Sequence, residues 1–120
     1  MNKETTIKEN KTFNILYKYG KSVVTKYFVI YYKENKISKS RLGITVSKKI
    51  GTSVKRNRAK RLIRESIRLI NNKIYEGHDI IIVCRVAIND VKRQDIDRAM
   101  WYALNKSGLI KNKKYNNKEQ

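Results

Sequence analysis

Acidic residues are scarce in this chain of 120 residues, with ten Asp and Glu against 29 Lys and Arg. Scattered as they are, they offer no converging ligand set for metal-assisted phosphodiester hydrolysis, and Asp95 and Asp97 sit two apart on an expected helix and project in different directions. Cysteine and histidine occur once each. Cys84 has no partner for an intramolecular disulfide and ends an apolar run from Ile80, so it reads as a buried structural thiol rather than a nucleophile. His78 is equally alone, which leaves metal ligation by sulfur and nitrogen, and Cys/His nucleophilic chemistry, without the residues they need. No apolar run reaches the ~18 residues that suggest a membrane span. Residues 1–10 are polar and include acids, unlike a signal or transit peptide, so a cytoplasmic protein is expected. Proline and internal repeats are absent.

What the chain does have is positive charge, at a formal +19 and a pI near 10.2. That is well past ordinary solubility needs and makes nucleic acid the default partner. A membrane-surface protein would call for an amphipathic helix with exposed large apolar residues, an acylation signal, or a basic tail beside a long apolar run, and none of these is present. The basic residues run through folded-looking segments rather than a tail. Within residues 35–64 there are eleven Lys and Arg and no acid.

A chain of this length makes one domain with one modest core. Its periodicity places a frayed start over residues 1–8, a domain over 9–110 and a disordered basic tail over 111–120. Residues 9–19 form a helix stopped by Gly20. Residues 22–33 read as one strand, with Phe28, Ile30 and Tyr32 facing one way and Tyr27, Val29 and Tyr31 the other. A second strand over 41–47 alternates Leu42, Ile44 and Val46 with the small Gly43, Thr45 and Ser47. Thr52 or Ser53 then caps a helix reaching residue 71 or 72, its core stripe made by Ala59, Leu62, Ile63, Ser66, Ile67 and Ile70. An apolar strand covered on both faces follows at 78–86. The last helix, 93–106, turns Ile96, Met100, Ala103 and Leu104 inward. The result is an α+β fold, a single-domain α/β sandwich with a sheet packed by helices in the order αββαβα, or αβββαβα with one more short strand around Ile50. The strands flanking the basic helix are candidates for parallel neighbours.

On the wheel of that basic helix Asn57, Arg61, Arg64 and Arg68 lie opposite the core stripe, with Arg58 and Lys60 on its flanks. Lys55 and Arg56 occupy the first turn, where the helix dipole favours an anion. A solvated face laced by ion pairs fails on arithmetic: seven cations between Lys55 and Arg68 share one anion, Glu65, which can reach only Arg61 or Arg68. Arginine forks and lysines facing phosphates account for the pattern. A second constellation is aromatic. Phe13, Tyr17 and Tyr31 sit where the first helix can cross the sheet, over strand positions kept small at Gly43, Thr45 and Ser47. Such a groove suits unpaired nucleotides, whose bases stack on rings with little sequence demand.

The stretch Arg41-Leu42-Gly43-Ile44-Thr45-Val46-Ser47-Lys48-Lys49-Ile50-Gly51, followed by Val54 to Glu65 with its Arg56-Asn57-Arg58 core, closely resembles the signature of the bacterial ribonuclease P protein subunit family. The resemblance runs over about residues 9–110 and takes in Phe13 to Gly20, Phe28 to Tyr31 and Asp79 to Val83. It implies a mixed four-stranded sheet with a left-handed βαβ crossover around the basic helix, as in ribosomal-protein-like folds, in place of the right-handed hand that general rules favour. It also implies a small partner of a catalytic RNA that, with bound Mg2+, removes the 5′ leader of precursor tRNA, the protein itself holding no cofactor, no metal and no catalytic residue. Arg56, Asn57, Arg58, Lys60, Arg61 and Arg64 inherit the contact with the catalytic RNA, and Lys55 and Arg68 extend it. Phe13, Tyr17, Tyr31 and Thr45 inherit the leader cleft, with Lys48 and Lys49 holding phosphates beside it. The expected partners are thus the catalytic RNA and precursor tRNA, with no membrane and no obligate protein partner. A non-catalytic RNA-binding protein of ribosomal or chaperone type is the alternative the basic helix leaves open.

Overall fold

The computed structural model describes residues 6–111. Its elements are α1 (Asn10–Tyr19), β1 (Lys21–Val24), β2 (Phe28–Glu34), β3 (Arg41–Thr45), α2 (Ser53–Ile70), β4 (His78–Cys84) and α3 (Arg93–Ser107), with short 3-10 turns at Lys48–Ile50, Asn71–Lys73 and Val86–Asp90. One mixed sheet runs in the order β1-β2-β4-β3. β2 is antiparallel to both β1 and β4, while β3 runs parallel to β4, so the strands joined by α2 are neighbours. The interior place of β4 explains its unbroken apolar run: Ile80, Ile81 and Ile82 are all buried, which takes a cover on both faces.

Those covers differ in size. On one face Phe28, Ile30, Leu42, Ile80 and Ile82 meet Ala59, Ile63, Ile67 and Ile70 of α2 and Ile96, Met100, Ala103 and Leu104 of α3, which is the main core. On the other, α1 lays Leu16 over Ile81 in a small second core that also takes Ile7. The helical stripes read from sequence are the ones buried, with Leu62 only half-buried.

Four expectations are revised. Residues 22–33 are a hairpin, not one strand: the Thr25 hydroxyl accepts from the backbone N–H of Tyr27 at 3.2 Å and of Phe28 at 3.0 Å, turning the chain between Val24 and its partner Val29. No Gly, Pro or Asn marks that turn, so β-branched and aromatic residues on both sides read as continuous. Tyr27 falls in the turn and packs on the main core instead of sharing the face of Tyr31. The extra strand expected near Ile50 is a 3-10 turn that buries Ile50, and β1 is the third strand ahead of α2. The frayed start does not extend to residue 8, because Thr6 bridges Leu42 in parallel and the buried Ile7 donates its N–H to the Leu42 carbonyl at 3.0 Å. Residues 1–5 and 112–120, with most of the expected tail, lie outside the described residues.

Gly20 does end α1, but not through a left-handed conformation, since its φ is −77°. A Cβ there would stand 2.6 Å from the Leu16 carbonyl oxygen and 3.0 Å from that of Tyr32, so close approach of two backbones demands the glycine.

Candidate nucleic-acid interface

α2 begins at Thr52, whose hydroxyl accepts from the Lys55 N–H at 3.3 Å, and its first turn holds no acid. Burying Ala59, Ile63, Ser66, Ile67 and Ile70 fixes the rotation of the helix and leaves Lys55, Asn57, Arg61, Arg64 and Arg68 exposed, with Arg56 and Lys60 half-buried. Arg58 departs from the expected set. Its guanidinium turns inward and donates to the carbonyl oxygens of Ile88 at 3.2 Å and Val91 at 3.0 Å, fastening the start of α2 to the segment ahead of α3. Glu65 pairs with neither Arg61 nor Arg68. It accepts from Arg93 of α3 at 2.8 Å, and the same guanidinium donates to Asp97 at 3.0 Å. Among the described residues, therefore, none of the α2 cations from Lys55 to Arg68 has a carboxylate partner.

The aromatic site lies across the opposite face of the sheet. Phe13 and Tyr17 are neighbours on α1, with ring centroids 6.3 Å apart, and Tyr17 meets Tyr31 of β2 edge-on at 5.0 Å and 78°. Phe13 lies directly on Gly43, where a Cβ would come within 3.0 Å of its ring, so the small residue in β3 is what lets α1 settle. The register sets two rows on this face. Tyr31, Ile81 and Gly43 lie under α1; Val29, Val83 and Thr45 form the next row beside it and are half-exposed. Val24, paired with Val29, extends that row and is 58% exposed. Val29, Val83 and Val24 were not among the expected site residues, although the period-2 alternation from Tyr31 was enough to put Val29 on its face.

Lys48 and Lys49 are exposed in the 3-10 turn that leaves β3, capped by the Ser47 hydroxyl. Buried Ile50, whose carbonyl accepts from the Asn89 side chain at 2.8 Å, pins this turn between Thr45 on the cleft floor and the start of α2. At the other end of β3 the Arg41 guanidinium grips Asp79 with two bonds of 2.8 and 2.7 Å, and Asn35 adds a third at 2.9 Å. Burial alone would raise the Asp79 pKa, but these bonds and the charges of Arg41 and His78 bring it below its ordinary value. The Cys84 thiol is pushed up to about 12 by burial, which leaves it protonated and unreactive at neutral pH. No three of the described His, Cys, Asp and Glu side chains gather into a potential metal site.

A cationic helix free of internal ion pairs on one face and an aromatic cleft on the other define a small RNA-binding protein built on an α/β sandwich. The ribonuclease P family model matches residues 1–108. The ribonuclease P protein component of Clostridioides difficile is 45% identical over 100 residues, covering 82% of this chain and 88% of the relative. That of Clostridium acetobutylicum is 43% identical over 110 residues, covering 90% and 92%. Among solved structures, the ribonuclease P protein of Staphylococcus aureus superposes with a TM-score of 0.82 at 38% identity, covering 90% of this chain and 99% of that one. The protein from Thermotoga maritima gives 0.73 at 30% identity, covering 81% and 92%. The chain belongs to the ribonuclease P protein family. It is the protein component of a ribonucleoprotein endoribonuclease of tRNA 5′-end processing, with RNA as its partner.

Proposed function

We propose that the exposed face of α2 binds the catalytic RNA of ribonuclease P, and that the cleft between α1 and the sheet takes the 5′ leader of precursor tRNA. The observation that carries this reading is the separation of two chemistries. The α2 face offers Lys55, Arg56, Asn57, Lys60, Arg61, Arg64 and Arg68 with no carboxylate among the described residues to answer them, which suits a folded polyanion. The cleft offers three rings and a half-exposed apolar floor, which suits unpaired bases. Lys48 and Lys49 stand between and are placed to hold phosphates of either RNA. Arg58 supports the α2 face from behind, through the backbone it ties. In this reading the RNA carries out the hydrolysis with Mg2+ that it holds itself, and the holoenzyme works in the cytoplasm.

Holoenzymes reconstituted with Tyr31→Ala or Arg64→Ala test the division. Loss of one stacked base is worth ~1–3 kcal/mol, so Tyr31→Ala should weaken binding of leader-bearing tRNA about tenfold and mature tRNA far less. Arg64→Ala should weaken assembly with the catalytic RNA and leave the preference for the leader unchanged. Equal losses for the two substrates with Tyr31→Ala would reduce the rings to a packing role.

A further inference from the structure

α2 carries a single acid, and the fold moves it out of the way. On an isolated helix Glu65 lies four residues after Arg61 and three before Arg68, within pairing reach of both. In the structure its carboxylate is drawn toward α3 by Arg93, whose Nη1 donates at 2.8 Å while its Nε holds Asp97 at 3.0 Å. The side chains of Arg93 and Glu65 are 36% and 39% exposed, so a bridge of this kind contributes little to stability. Its larger effect falls on the charge facing outward.

We infer that Arg93 is a positioning residue for RNA binding: by holding Glu65 against α3 it keeps Arg61 and Arg68 free for phosphate. The inference rests on the reading of α2 as the face for the catalytic RNA. Without Arg93, Glu65 turns back along its own helix, neutralises one of the two arginines and meets the RNA as a like charge. Arg93 thus acts on RNA binding without itself touching RNA.

A double-mutant cycle on binding to ribonuclease P RNA over a KCl series tests this. Arg93→Ala should lower affinity roughly threefold and flatten the salt dependence by up to about one unit of slope, as expected when one phosphate contact is lost. Glu65→Gln alone should change affinity less than about twofold, because Arg93 already holds that charge. The double variant should return to within about twofold of the parent, since the acid that Arg93 restrains is gone. If the double variant binds as weakly as Arg93→Ala, Arg93 is either an RNA contact or a helix staple, and the inference is overturned. Arg61→Ala and Arg64→Ala measured alongside separate the two levels. Weakened binding by both with an additive cycle overturns the role of Arg93 alone, whereas unchanged binding by both removes the α2 reading and the inference with it.

Discussion

Arg58 and Arg61 are one turn apart on the same helix and do different work. Arg61 reaches solvent, while Arg58 spends two donors on the carbonyls of Ile88 and Val91. Removing Arg58 leaves the carbonyls of two buried residues, Ile88 and Val91, without this partner. Arg58→Ala should therefore lower unfolding stability by ~1–3 kcal/mol in a urea titration. Arg61→Ala should stay within ~0.5 kcal/mol of the parent and instead flatten the salt dependence of RNA binding by about 0.9 units. A result with the two roles exchanged would mean that Arg58 swings outward to bind RNA. On the wheel Arg61 lies opposite the core stripe and Arg58 on its flank, yet both were expected to contact RNA. Nothing local gives Arg58 its inward partners, because the carbonyls that claim it lie about thirty positions away in the chain. The partner of Glu65 escaped for the same reason, since helix spacing nominates only neighbours on the same helix. Core and exposed positions on α2 were readable, because the 3.6-residue period alone decides them.

Among the elements, β3 deserves the most from its fastenings, since it carries the floor of the cleft and leads into α2. Its first residue, Arg41, grips Asp79 of β4, and Ser40 beside it donates its hydroxyl to the Tyr75 carbonyl at 2.9 Å and accepts from the His78 N–H at 3.0 Å. Asp79 has a folded pKa below its unfolded value of ~3.9, so its contribution is fully present above that value and is lost as pH falls through the folded pKa. Asp79→Asn should destabilise the protein by ~1–3 kcal/mol at pH 7. The gap between variant and parent should begin to narrow near pH 4 in urea melts repeated across pH and close only as pH falls through the lower folded pKa, where the folded parent is protonated as well. A gap of constant size would mean that the charge of Asp79 contributes nothing. The parallel placement of β3 beside β4 was legible in the order of elements. The β1–β2 hairpin was not, because a threonine hydroxyl makes its turn without any residue that announces one.

At the scale of the whole molecule, +19 on 120 residues must be folded against its own repulsion. Concentrating unpaired cations on α2 worsens that repulsion locally, and anions that collect there relieve it. Sulfate should accordingly raise the thermal midpoint, followed by circular dichroism, more than chloride does at equal ionic strength, because it adds binding to screening. Equal midpoints in the two salts would show that screening is the whole effect. The fold class and both surfaces were foreseeable because charge and periodicity survive in a linear text. The half-exposed row beside the rings was not, as it depends on the register that sets Val29, Val83 and Thr45 side by side.

Residues 46–52 join the cleft floor to the basic helix, and buried Ile50 with its bond from Asn89 keeps that join from flexing. The join acts as a gauge block. The two surfaces are joined through a short covalent link, and a residue inserted there should change their spacing while leaving each surface intact.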